Sequence, residues 1–240
     1  MARSLEKWEV QDHGPLQEVD EGVVTVEGTI RMALGNFPRR MTVVKLGGGG
    51  TVIYSAISLE DADMRSIEVL GTPAFMVVPS AHHRLDAKAW KQRYPAIKVI
   101  APAGAREDVK EVVSVDATDD VLGDPNVKFL TVGGTAGHEA ALMVARSGDR
   151  TLVTNDVIAH VANPQGFGAK VMARMMGFGV TRPQIPSIVR RVIVDDKRAL
   201  AAQFREWSHD EHLRRIIVSH GDIIDRPREV LAALAETLEC

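Results

Sequence analysis

The constraint that most narrows the fold is an order of elements that occurs twice along the chain, with β-branched strands first and helices after them. In the front half, residues 23–26, 42–46 and 51–55 are short apolar runs rich in Val, Ile and Thr and bounded by turn residues. Gly47-Gly48-Gly49-Gly50 separates the last two and reads as a hairpin turn that needs positive φ. A phosphate-binding loop would continue with Lys-Ser/Thr at the start of a helix, whereas Thr51-Val52-Ile53-Tyr54 opens a strand. From there the rhythm alternates: helix 61–70, strand 74–79, helix 85–94, strand 98–101 and a short helix 106–111, with Pro95 and Pro102 as breaks.

The second series begins with strands over 127–132, 140–146 and 151–154, and Ser147-Gly148-Asp149 forms a hairpin turn between the last two. Helices over 166–178, 186–194 and 197–207 follow, then a strand at 215–219 and a closing helix 227–238 with Pro227 in its first turn. Strands alternating with helices indicate an α/β protein. Two halves that each run from strands to helices predict two sheets packed face to face with helices outside, a four-layer αββα sandwich. At 240 residues, with no low-complexity stretch or long linker, a single domain over 1–240 is expected.

Composition removes several classes of function. Lys plus Arg number 29 and Asp plus Glu 32, for a net charge of −3, so binding nucleic acid by phosphate neutralisation is not expected. The apolar share of 45% and charged share of 25% exclude intrinsic disorder. Cys240 is the single cysteine, so no intrachain disulfide forms and a reducing compartment fits best. Residues 1–10 carry Arg3, Glu6, Lys7 and Glu9 without an apolar core, unlike a secretory signal. Every stretch long enough to span a bilayer contains charge, and the expectation is a cytoplasmic protein with no membrane partner.

The chemistry-bearing residues gather at strand ends. Of the eight histidines, His82-His83 follow the strand ending near Val78, His138 follows Gly133-Gly134-Thr135-Ala136-Gly137, and His220 follows Arg215-Ile216-Ile217-Val218-Ser219. Asp156 closes Thr151-Leu152-Val153-Thr154-Asn155. Loops at strand ends are where a rigid scaffold aims functional side chains. Imidazole and carboxylate at four such places are the donors that zinc, or another divalent ion taking N and O ligands, requires.

The order of these motifs resembles the metallo-β-lactamase superfamily of hydrolases. There a cluster T-H-x-H-x-D-H is followed by a G-H pair, an aspartate after an L-x-x-x-D strand, and a final G-H or S-H. Gly137-His138, Thr151 to Asp156 and Ile216 to Gly221 are similar to the last three, and the hairpin around Gly47–Gly50 is similar to the one preceding the cluster. The resemblance runs from about Val23 to Leu238 and implies the αββα sandwich. Pro79-Ser80-Ala81-His82-His83-Arg84-Leu85-Asp86, with Trp90 and Tyr94-Pro95, is closer still to a branch of that superfamily with no settled activity, which bears on the fold and not on the function.

The first cluster departs from the pattern. With His82 in the second histidine position, Ser80, Arg84 and Leu85 replace a His, the Asp and a His; with His83 there, Ala81 and Asp86 replace the two outer histidines. The second register is preferred because it leaves Asp86 able to act. Either way at least two ligands are lost, so a two-metal site is not expected, while three protein ligands plus water suffice for one. The resemblance then implies His83, His138, Asp156 and His220 as ligands of one divalent ion, zinc before iron or manganese. Arg84 would hold an anionic group of the substrate, and Asp86 would orient or deprotonate the water.

Plainer roles compete. His83 could cap a strand end, Asp156 could cap a turn, and His160, His209 and His212 read as surface histidines. Residues 166–180, with three Met and two Phe between glycines, read as a helix burying an apolar stripe or as a hinged apolar flap. G-x-S-x-G is absent, and Gly166-Phe167-Gly168 lacks the strand and third glycine of a dinucleotide fingerprint. Trp8 and Trp207 mark either a core or an interface.

The implied function is metal-dependent hydrolysis of an ester, thioester, lactone or phosphoester in a small-molecule substrate, with a homodimer as the commonest assembly. The alternative is the same fold with a decayed metal site, kept as a binding or assembly module.

Overall fold

The computed structural model describes residues 4–32, 35–162, 174 and 177–239. A six-stranded sheet runs in the order β1 (Gln17–Asp20), β2 (Val23–Met32), β3 (Gly35–Lys45), β4 (Gly50–Tyr54), β5 (Thr72–Val77), β6 (Lys98–Ile100). A four-stranded sheet pairs β7 (Val127–Thr131), β8 (Ala140–Arg146), β9 (Asp149–Thr154) and β10 (Leu213–Val218), in chain order from one edge to the other. The early pairs of each sheet are antiparallel hairpins, and the later pairs β4–β5, β5–β6 and β9–β10 are parallel.

Parallel neighbours require a crossover, and helices supply it. α1 (Asp61–Leu70) links β4 to β5, and α2 (Ala87–Arg93) links β5 to β6. α3 (Arg106–Lys110) follows β6, α4 (Ser187–Val192) and α5 (Lys197–Ser208) lie between β9 and β10, and α6 (Pro227–Glu239) closes the chain. Asp196 caps α5, accepting from the N–H groups of Arg198 and Ala199 at 2.9 and 3.0 Å. α5 then buries Leu200, Ala201, Phe204 and Trp207, a stripe with helical spacing.

The layers follow from period-two alternation. On β4, Val52 and Tyr54 enter the cluster between the sheets while Ile53 faces the opposite way; on β9, Val153 faces in and Leu152 out. Val23, Val77 and Ile100 meet Phe129, Leu142 and Ile217 in that central layer. Outside the first sheet, Met41, Ile53 and Val99 pack on Met64, Ile67, Trp90 and Val109 of α1, α2 and α3. Outside the second, Leu152, Ile216 and Val218 pack on Val189 of α4, Phe204 of α5 and Leu231 of α6. The four layers are therefore helix, sheet, sheet, helix, as the order of elements predicts.

The glycine run turns β3 into β4: Leu46 accepts the Gly49 N–H at 3.0 Å and donates to the Gly50 carbonyl at 2.8 Å, with Gly49 at φ 93°. The β2–β3 hairpin is much longer than its apolar runs, pairing from Val23 with Val44 to Met32 with Gly35. Its far end carries Glu27, Pro38, Arg39 and Arg40, which hide the strand pattern from a hydrophobicity reading. Both tryptophans belong to the interior. Trp207 is buried, and Trp8 packs on Trp90 at 5.4 Å while its Nε1–H donates to Leu59 O at 2.9 Å. Most of the segment 166–180, read as a helix or a flap, lies outside the described residues. No helix among those described is long and apolar enough to cross a membrane.

Candidate metal centre

In the parallel pairs the strands end level with one another: Tyr54 beside Val77, Val77 beside Ile100, Thr154 beside Val218. The chain leaves β4, β5, β9 and β10 at one edge of the sandwich, the place where parallel sheets present their functional loops. After β5 it turns over Ser80–His83, closed by the His83 N–H on the Ser80 carbonyl at 3.2 Å. That turn leaves His82 exposed and lays His83 inward. Asp156 stands two residues past β9 and His220 two past β10, with the Ser219 N–H on Thr154 O at 3.1 Å holding the exits together.

His83 Nε2, Asp156 Oδ1 and His220 Nε2 meet in a triangle. The two nitrogens are 3.1 Å apart, His83 lies 3.3 Å from the carboxylate oxygen and His220 3.0 Å from it. It is the one such convergence of three His, Cys, Asp or Glu donors among the described residues. The outer nitrogens are also engaged. His220 Nδ1 is 2.7 Å from the Pro38 carbonyl, and His83 Nδ1 is 2.8 Å from Ser55 Oγ. A carbonyl only accepts, so the His220 proton sits on Nδ1 and the Nε2 lone pair faces the site.

The glycine after His220 is required by close packing. Gly221 has φ 109°, and a Cβ there would stand 1.9 Å from the His160 carbonyl oxygen. The same backbone contact receives the Asp222 N–H at 2.8 Å, and His160 in turn donates its N–H to His220 O at 2.9 Å. The strand exit that carries His220 is thus clamped by its own backbone.

The chemistry of the donor set fits a cation. Burial works to raise the Asp156 carboxyl, but the charges and hydrogen bonds of His83 and His220 outweigh it and hold the group well below the usual carboxylate range. Burial lowers the His83 imidazole, against the upward pull of Asp156. His220 Nε2 stands 3.0 Å from the Asp156 oxygen, a contact that a shared proton or a cation can bridge. Donors about 2.0–2.2 Å from one tetrahedral ion lie about 3.3 Å or slightly more apart, close to the separations here. An Nδ1–H held by a main-chain carbonyl is the usual outer support of a ligating histidine.

Behind Asp156 lies a residue that the motifs do not single out. Glu139 is fully buried; Oε2 accepts the Asp156 N–H at 3.1 Å and the Asn155 amide at 3.1 Å. Burial, then the charge of Asp156, raise the Glu139 carboxyl well above its ordinary value despite the bonds from Asn155, the Asp156 N–H and Ser80. Two neighbouring carboxyl groups are therefore pushed in opposite directions, Asp156 toward the ionised form and Glu139 toward the acid. Asn155 Oδ1 is buried without a partner among the described residues.

A pH dependence follows. Because the folded state raises the Glu139 pKa, its contribution to stability is present below the unfolded value of about 4.3 and is lost as pH rises through the folded value. Glu139→Gln keeps the shape and cannot ionise. The variant is expected to be more stable than the parent at pH 7–8 in urea unfolding with chelator present, by about 1–3 kcal/mol, with the difference closing toward pH 4.5. A parent protein that is the more stable of the two at pH 8 would contradict this.

The other residues expected in the site stand elsewhere. His138 donates its N–H to Thr135 O at 2.8 Å and is only half-buried, outside the converging group. The approach to β8 passes through left-handed backbone at Gly134, Ala136 and Gly137 (φ 71°, 47° and 73°), and there Glu139 rather than His138 is buried. Arg84 donates to Glu111 Oε2 at 2.9 Å. Asp86 pairs with buried Arg39 and accepts the Ser58 N–H at 2.9 Å. Neither borders the cavity over the triangle, which His82, His83, Asp156 and His220 share with apolar side chains. The sequence did carry one signal for Glu139, a carboxylate directly after Gly137-His138, and Phe178 belongs to the segment read as a helix or an apolar flap; it carried none for Ser55 or Phe37.

Comparison with protein-family models and with curated proteins finds no match. Comparison of structures finds many. The DIM-1 metallo-β-lactamase exposed to ceftazidime superposes with a TM-score of 0.63 at 17% identity, over 95% of this chain and 99% of its own. FIM-1 from Pseudomonas aeruginosa, in its mono-zinc form, gives 0.63 at 14% identity over 97% and 98%. The metallo-β-lactamase from Erythrobacter litoralis gives 0.63 at 16% over 92% and 96%. The chain has the metallo-β-lactamase fold.

Proposed function

We propose that this chain is a metal-dependent hydrolase with a single-ion site, acting on an ester, thioester, lactone or phosphoester. The observation that carries the reading is the triangle of His83 Nε2, Asp156 Oδ1 and His220 Nε2 at 3.0–3.3 Å, with both outer ring nitrogens already engaged. In this reading these three atoms hold one divalent ion, zinc before iron or manganese. The mono-zinc form of FIM-1 supports a one-ion site in this fold. Bound there, the ion supplies Lewis acidity and a water whose pKa is lowered to about 7.

The chain's own residues do the rest. Pro38 O keeps the proton on His220 Nδ1, so that Nε2 points inward, and Ser55 Oγ steadies the His83 ring. Glu139 holds the main chain of Asp156 through its N–H. Phe37 lies 4.8 Å from the His220 ring and Phe178 6.1 Å, and together they keep bulk water off its inner face.

Elemental analysis of protein purified without chelator or polyhistidine tag tests the reading. About one equivalent of zinc, iron or manganese is expected, and His138→Ala is expected to keep it. Absence of metal after incubation with excess ion would sink the hydrolase and leave a binding scaffold. Loss of metal from His138→Ala would show that the ligand set is wrong.

A further inference from the structure

A cavity of about 330 Å³ opens directly over the triangle. Its floor is polar, formed by His83, Asp156 and His220, with His82 at its border, and the rest of its lining is apolar. On one side stand Phe37 and Phe178, rings edge to face at 4.6 Å. On the other, α4 and its end present Ile188, Val189, Val192 and Ile193. Ile188 and Val192 are one helical turn apart and remain 46% and 69% exposed, an unusual place to leave two large aliphatic side chains unless something apolar passes them. Among the described lining residues there is no Lys or Arg, and the one carboxylate is Asp156.

A substrate must match both surfaces. A phosphoester brings anionic oxygens to a pocket whose described walls offer no cation and no hydrogen-bond donor beyond the histidines. A carbonyl ester, thioester or lactone brings one polar atom for the floor and hydrocarbon for the walls. We infer that the cavity takes the apolar acyl part of an uncharged carbonyl ester, thioester or lactone, seated between Phe37, Phe178 and α4 with its carbonyl toward His83, Asp156 and His220. The cleaved bond rests on the hydrolase reading; the seat for an apolar chain does not. In the reaction the water oxygen bonds the carbonyl carbon and the carbonyl–oxygen or carbonyl–sulfur bond breaks. One water proton goes to the departing alcohol or thiol, and the other stays with or dissociates from the acid.

The test is calorimetric titration of uncharged, non-hydrolysable 2-alkanones, from 2-butanone to 2-decanone, into the metal-loaded and the chelator-treated protein, with alkyl phosphates of equal length for contrast. Affinity should tighten about fourfold per methylene until the cavity fills, with a negative heat-capacity change. The phosphates should bind at least tenfold more weakly. Val192→Glu, at an exposed position that folding tolerates, should weaken the long ketones five- to tenfold and leave the short ones unchanged. Affinity independent of chain length, or phosphates that bind more tightly than ketones, would overturn the inference. If the ketone series behaves as expected but the protein takes up no metal and cleaves no ester, the hydrolase reading falls and the acyl seat stands. If p-nitrophenyl esters are cleaved at rates independent of acyl length, the hydrolase reading stands and the acyl seat falls.

Discussion

His220→Ala is expected to leave the chain folded and to empty it of metal. The substitution removes one of three donors, the one whose outer nitrogen is pinned to a main-chain carbonyl at 2.7 Å. Structural zinc in four-ligand peptides binds with about 10–16 kcal/mol, or roughly 2.5–4 kcal/mol per ligand, so affinity should fall on the order of 10²–10³-fold or more. Hydrolysis should drop below about one per cent of the parent value, since the ion is the source of the nucleophile. The fold should persist because the backbone contacts of this exit, His160 N–H on His220 O and Asp222 N–H on His160 O, do not use the imidazole. Asp156→Asn, nearly isosteric, should lose metal as well. Plasma emission measurements beside far-UV circular dichroism separate the two effects. A folded His220→Ala protein that keeps a full equivalent of metal would rule out the proposed ligand set.

Asp86→Ala is expected to be the most damaging change to stability outside the core. Arg39 is 5% exposed, pairs with Asp86 through Nη1, and its Nε and Nη2 have no partner among the described residues. Removing the carboxylate leaves a buried guanidinium without its counter-charge, which costs about 3–5 kcal/mol. In a domain of this size that lowers Tm by roughly 6–20 °C. Arg39→Met combined with Asp86→Ala should recover a large part of the loss, because the buried charge is then gone from both sides. Metal content should be unaffected in Asp86→Asn, which keeps an acceptor for the Ser58 N–H. If Asp86→Asn instead keeps full stability and loses activity, the carboxylate acts on the substrate after all.

These two residues show where reading the chain from one end to the other succeeds and where it stops. His220 is legible because its motif is local: a buried β-strand, then Ser-His-Gly, with a glycine that only a close backbone approach explains. Asp86 carries the same kind of signal, a carboxylate near paired histidines, and the structure commits it to Arg39, 47 residues away. Nothing near Asp86 in sequence announces that partner, because Arg39 is delivered by the β2–β3 hairpin, where Pro38, Arg39 and Arg40 interrupt the apolar pattern. His83 and His82 were separated by the turn over Ser80–His83, and beside the half-buried His138 it is Glu139 that is buried against Asp156.

Alternating apolar residues, helical stripes and turn glycines determined the strands, the helices, their order and so the four layers. Each of these is a local pattern, read within one element by the burial of one face. The tertiary structure alone decided which side chain at each strand exit faces the site, which carboxylate is ionised, and what borders the cavity above it. Those choices depend on register between segments far apart in sequence and on burial from all sides, and a shift of one residue reverses them without altering any local pattern.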